Sequence, residues 1–226
     1  MRKRQMERTL TRELENKFDQ TTPQKFDKIY IFKRPFQSSR LKKKWNEIYA
    51  QKITRELTPP LQPEIDMILC KDDKMIAVEI KYFEIKGNSL SRSFYEGIEQ
   101  TLALLRWGFD HVALWQLFEE SVAPEELFFY GGWTWSFVHA SSEHGGIGLP
   151  IEFTFMQVRK HGAECDFYPV QPERAPGGIR LRILPPPYSP RFRITTPHPN
   201  PLALSQEGQR LRNILQEWLE TQTPDC

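Results

Sequence analysis

A chain of 226 residues can bury one substantial core with appendages and is too short for two full domains. Hydrophobic residues at 39% and charged residues at 27% describe a soluble globular protein, and no apolar run approaches membrane-spanning length. The formal charge of +2 says little as a total, but basic residues crowd Arg2-Lys3-Arg4, the stretch Arg40, Lys42, Lys43 and Lys44, and later Arg180, Arg182, Arg191 and Arg193. Such runs either neutralise the phosphates of a polyanionic partner or form ordinary solvated faces.

Met6, Leu10, Leu14 and Phe18 recur every four residues and predict a first amphipathic helix over about 4–18. Phe26 to Phe32 alternates as a strand or extended arm. Ser38 or Ser39 then caps a second helix with the stripe Leu41, Trp45, Ile48, Tyr49 and Ile53, ended by Pro59-Pro60. Two apolar runs follow, 65–70 and 75–83, separated by Lys71-Asp72-Asp73-Lys74, and they read as a β-hairpin. After a polar connection, Phe94, Ile98, Leu102 and Leu105 mark a helix over about 94–107 that stops at Gly108. The run 111–118 is apolar on both faces and fits a buried strand, so strand, helix and strand form a crossover unit.

Beyond Glu120, further strands are expected at 127–130, 133–138 and 151–158. Prolines are dense from Pro172 to Pro201, which predicts an extended arm. A closing helix over 202–219 carries Leu204, Leu211, Ile214, Leu215 and Trp218.

The hairpin carries the chemistry. If Asp72 and Asp73 form a two-residue turn, facing residue numbers sum to 145, and Asp66 lies opposite Glu79. Lys81 follows Glu79 on the same face, because strand side chains alternate. Two carboxylates facing each other across a ladder repel, and a divalent cation between them reverses the sign of that interaction. Asp66, Glu79 and the backbone carbonyl of Ile80 supply oxygen ligands of the kind Mg²⁺ or Mn²⁺ takes. Lys81 points into the same pocket, where it can orient a water or stabilise developing negative charge. An ordinary half-exposed hairpin would also present Glu79 and Lys81 on its wet face.

Pro63-Glu64-Ile65-Asp66 and Glu79-Ile80-Lys81 together resemble the two motifs of the PD-(D/E)xK nucleases, with Asp66 three residues after Pro63 as a departure from the strict pattern. The resemblance spans about 41–118, roughly half the chain. It implies an α/β fold with a restriction-endonuclease-like α-β-β-β-α-β core, a mixed sheet flanked by helices, extended by C-terminal strands and a terminal helix. It also implies a Mg²⁺- or Mn²⁺-dependent endonuclease, with DNA the first expectation for its substrate and RNA the second, and with Asp66, Glu79 and Lys81 catalytic. The family's further acid on the helix before the hairpin corresponds to Glu56, or to Glu47 if that helix stops near Ala50. Its site-facing glutamine on the following helix corresponds to Gln100. The alternative is a catalytically silent nucleic-acid-binding or assembly protein on the same fold.

The division expected is an N-terminal helix and arm over 1–37, the nuclease core over 38–120, packed C-terminal strands over 121–170, and a proline-rich arm with a terminal helix over 171–226. Trp133 and Trp135 are candidates for base stacking, although alternating aromatics more commonly face a core. The histidines lack zinc-ligand spacing, and Gly145-Gly146-Ile147-Gly148 lacks the strand, helix and acid of a dinucleotide loop. Cys70, Cys165 and Cys226 show no paired spacing and fit a reducing compartment. The N-terminal stretch has no apolar secretory core, so a cytoplasmic protein is expected. A homodimer is compatible with the sequence, which offers nothing to argue for it.

Overall fold

The computed structural model describes residues 9–10, 13–14, 27–31, 65–86, 89–90, 96–122, 150–162, 164–175, 178–183 and 200–220. Within them the chain is α/β. The strands are β1 (Lys28–Ile31), β2 (Met67–Lys71), β3 (Lys74–Phe83), β4 (Ile85–Lys86), β5 (Ser89–Leu90), β6 (His111–Glu119), β7 (Ile151–His161), β8 (Glu164–Ala175) and β9 (Gly178–Ile183). Among the described residues, two α-helices are traced from end to end, α1 (Ile98–Leu105) and α2 (Gln206–Glu220), the latter preceded by a 3₁₀ turn at Pro201–Leu204. Seven strands make one mixed sheet in the order β1-β2-β3-β6-β7-β8-β9, and β4 with β5 form a separate short ladder.

The hairpin has the expected register. Met67 faces Val78, Ile68 faces Ala77 and Lys71 faces Lys74. Asp72 and Asp73 both adopt positive φ, 47° and 62°, as a two-residue turn between right-twisted strands requires. Aspartates tolerate that region better than most residues but still prefer help. Asp72 N–H donates to Asp27 Oδ2 at 2.9 Å, and the Arg212 guanidinium donates to the Asp73 carbonyl. The turn is therefore held from the chain ahead of β1 and from α2.

β3, β6 and β7 run parallel in the middle of the sheet. Every residue of β6 except Glu119 is buried, because both faces of the sheet are covered. On one face Met67, Leu69, Val78, Ile80, Ala113, Trp115 and Met156 pack with the helical residues Leu10 and Leu14. On the other, Ile68, Ala77, Val112, Leu114, Phe118 and Phe155 pack with Ile98, Leu104 and Leu105 of α1 and Leu215 and Leu219 of α2. The terminal helix thus packs on the core.

Two expectations are corrected. The segment from Pro172 to Ile183 is not a free-standing arm: β8 continues to Ala175 and pairs with β9, Pro172 facing Leu181 and Val170 facing Ile183. The proline count suggested an arm, whereas the alternation in Ile179, Leu181 and Ile183 is what the ladder uses. Leu204 does not join the apolar face of the last helix. It sits in the 3₁₀ turn and is 81% exposed. The expected second helix, the strands at 127–130 and 133–138, and the loop at 145–148 lie outside the described residues.

Asn200 fastens the C-terminal segment. Its side-chain amide donates to the carbonyls of Leu105 at 2.7 Å and Phe109 at 2.8 Å, and its Oδ1 accepts from Leu202 N–H. Close approach also requires glycines. Gly108 has φ +77°, and a Cβ there would fall 2.0 Å from the Gly208 carbonyl oxygen. Asn200→Ala should leave two buried carbonyls short of a donor and destabilise the protein by about 2–4 kcal/mol, read from urea unfolding with an unchanged m-value. A loss below about 1 kcal/mol would mean that the amide is dispensable.

Candidate active site

Asp66 immediately precedes β2, and continuing the ladder by one residue sets it opposite Glu79. The two share the sheet face of Ile68 and Ala77, which α1 and α2 cover. Asp66 is half-buried, and its Oδ2 accepts the Ile80 N–H at 2.8 Å. This carboxylate therefore terminates the ladder where β2 begins, and its position follows from strand geometry.

Glu79 is 1% exposed, in the middle of the sheet. A buried carboxylate needs a compensating charge. Lys81, two residues on and 8% exposed, supplies it through an ion pair between its Nζ and Glu79 Oε1. The first turn of α1 lies over the lysine stem. A Cβ at Gly97 (φ +97°) would stand 2.8 Å from Leu114 Cδ1 and 3.0 Å from Lys81 Cγ. Only glycine lets the helix start this close while taking that backbone angle.

Gln100 is half-buried, three residues beyond Gly97 and next to Thr101, whose hydroxyl turns back to the Gly97 carbonyl at 2.7 Å. It stands on the flank of the turn that covers Lys81, while Ile98, Thr101, Leu104 and Leu105 form the buried face of α1. The Ile80 side chain enters the opposite core, so its backbone carbonyl is the group available from that residue. Glu56 and Glu47 lie outside the described residues. Among the described residues no group of three histidine, cysteine, aspartate or glutamate side chains gathers as a metal site. Asp66 and Glu79, with the Ile80 carbonyl, are hard oxygen donors of the type a Mg²⁺ ion accepts, and Glu79 is buried deeply enough to need a cation beside it.

Sequence reading passed over two residues on this face. Gln116 on β6 is fully buried and is the register partner of Lys81. Gln157 on β7 is 5% exposed and is level with Phe118, one step further along the same face. The available signals were a lone glutamine in the apolar run 112–118 and a glutamine on the apolar face of the alternating run 151–158, but only the parallel register shows that Gln116 falls beside the lysine.

Other titratable groups occupy the opposite face. Lys160 Nζ donates to the Tyr82 hydroxyl at 3.0 Å and pairs with Glu119 at 3.3 Å. Burial pushes the Tyr82 hydroxyl up to about 12, against the lowering effect of Lys160. Glu152, at the start of β7, has a buried Oε2 with no hydrogen-bond partner. Burial pushes its carboxyl up to about 7. This group works against folding when ionised. The penalty is absent below the unfolded value near 4.5, grows as pH rises, and is complete above about 7.

Two outcomes follow. Glu152→Gln should add about 2–3 kcal/mol of stability at pH 8 and nearly nothing at pH 4, measured by chemical unfolding, and a pH-independent difference would contradict the burial argument. Lys81→Met should cost about 3–5 kcal/mol by stranding the Glu79 charge, whereas the double variant Glu79→Gln/Lys81→Met should recover most of it. Equal losses in the single and double variants would show that the ion pair is not what the core requires.

Compared with known proteins, the chain matches no family model, no curated protein and no solved structure.

Proposed function

We propose that this protein is a divalent-metal-dependent nuclease of the PD-(D/E)xK type that hydrolyses phosphodiester bonds in DNA. The observation that carries the reading is the buried Glu79–Lys81 ion pair, with Asp66 one step beyond the Met67–Val78 pair and its carboxylate held on the Ile80 N–H. The sequence of elements around it supports a restriction-endonuclease-like core: the antiparallel β1-β2-β3, then α1, then β6 parallel to β3.

In this reading Asp66, Glu79 and the Ile80 carbonyl would hold Mg²⁺ or Mn²⁺, which would supply a coordinated water of lowered pKa and offset charge on the phosphate. Asp66 is oriented by the Ile80 N–H, so its geometry exists before any ligand arrives. Lys81 sets a positive charge beside the buried Glu79 carboxylate. Lys81, ion-paired to Glu79 on the same face, would offer its three ammonium donors to the reacting phosphate, to orient the attacking water or stabilise the pentacovalent charge. Gly97 lies against the lysine stem, and Gln116 is the register partner of Lys81 on β6.

Cleavage of single-stranded, duplex and branched DNA, and of RNA, with Mg²⁺ or Mn²⁺ tests this. Asp66→Asn retains an acceptor for Ile80 N–H and should lose at least about 100-fold in rate with little loss of stability. The double variant Glu79→Gln/Lys81→Met should fold and be inactive. Cleavage persisting in both variants would exclude the assignment. Salt-sensitive DNA binding with no metal-dependent cleavage of any substrate would instead favour the catalytically silent binding protein.

A further inference from the structure

The face that carries Glu79 and Lys81 continues across the sheet to an arginine held in a fixed pose. Arg159 on β7 is two residues beyond Gln157 and therefore on the same face. Its guanidinium carbon lies 4.4 Å from the centre of the Tyr168 ring. Its Nε and Nη2 both reach Gln157 Oε1 at 3.4 Å. Tyr168 is the register partner of Gln157, so the arginine is stacked on one strand and tethered to its own. It makes no ion pair among the described residues. Asp166, its register partner on β8, engages His161 Nε2 at 3.5 Å.

A guanidinium carries five donors in a planar fork. Two are directed at Gln157, and stacking on Tyr168 fixes the plane in which the others project. Half-burial and the ring contact lower the entropy lost on binding an anion, and a fork of this kind matches two phosphate oxygens. A surface arginine kept only for solubility would need neither the ring nor the buried glutamine.

Placement relative to the site argues for the ligand. Lys81 is level with Gln116, which is level with Phe155. Arg159 is four residues beyond Phe155 and two strands away from β3, so its Cα is about 16 Å from that of Lys81. At about 3.4 Å of axial rise per nucleotide, that is a separation of a few nucleotides along one strand. We propose that Arg159, stacked on Tyr168 and tethered by Gln157, binds a backbone phosphate of the DNA strand whose scissile bond lies at Asp66, Glu79 and Lys81. This rests on the nuclease reading for the site while adding a contact that needs neither metal nor catalysis. A phosphate contact positions the strand and carries no base preference.

Binding of the full-length chain to a short DNA duplex and to its separated strand, in EDTA, across about 50–200 mM salt, tests the subsite. Arg159→Ala should weaken binding equally for unrelated sequences and reduce the slope of log K against log salt by about one. Arg159→Lys should keep the slope and lose part of the affinity, since it retains the charge without the fork. Tyr168→Leu should weaken binding with the slope unchanged. A slope indifferent to Arg159→Ala, in a protein with unaltered thermal unfolding, would overturn the subsite. The two readings fail separately. Metal-dependent cleavage with an Arg159-independent slope removes the subsite alone, and an Arg159-dependent slope without cleavage removes the nuclease alone. Absence of any DNA binding by the wild-type chain removes the subsite outright.

Discussion

The register of the β2–β3 hairpin is the constraint on which the rest of the described structure depends. Two consecutive aspartates in left-handed conformation set it, and side-chain alternation then determines which residues meet. A slip of one residue would put Asp66 on the opposite face from Glu79 and Lys81 and drive charge into the core of Met67, Leu69 and Val78. The turn is not left to its own preferences. Asp27 accepts from one end of it and Arg212 donates to the other, so segments distant in sequence hold the angle that local chemistry only permits.

That register places a carboxylate where burial makes it costly. Glu79 stands in the central part of a sheet covered on both sides, and the lysine two residues along answers it. The alternation that brings the pair together also aims Ile80 and Tyr82 into the opposite core. The sheet thus separates two environments: one face apolar around Val78, Ile80, Trp115 and Met156 with Glu152 and the Tyr82–Lys160–Glu119 group beside them, the other apolar except for a row through Glu79, Lys81, Gln116 and Gln157 that ends at Arg159. Buried polar side chains in such a row specify more than they stabilise, since apolar residues of the same size would pack there with less desolvation.

The C-terminal segment completes this arrangement from the other end of the strands. Asn200 fills the carbonyls left at the end of α1, Gly108 and Gly208 allow the backbones to touch, and Arg212 pairs with Asp110. Asp110 also accepts the Met75 N–H at 2.7 Å, close to the hairpin turn. The residues that anchor α2 are therefore coupled to the same hairpin that presents the acids.

Much of the centre was legible from the amino-acid sequence because its signals are local. The two-residue turn, the period-two strands, the doubly apolar 111–118 run and the glycine stop at Gly108 all follow from backbone geometry and nearest-neighbour burial, and they placed Asp66, Glu79 and Lys81 on one face. What tertiary structure decided is non-local. Proline density between 172 and 183 concealed a strand pair, because a proline removes one donor while the partner strand, unseen in sequence, supplies the remaining ladder. Leu204 looked like part of an apolar stripe, but the 3₁₀ turn changes the periodicity that defined the stripe. Gln116 beside Lys81, and Arg159 over Tyr168, depend on registers between strands far apart in the chain. Sequence alone determined which side chains share a strand face, through a covalent period of two; only the folded sheet decided which strands lie side by side, because that choice is made by packing across both of its faces.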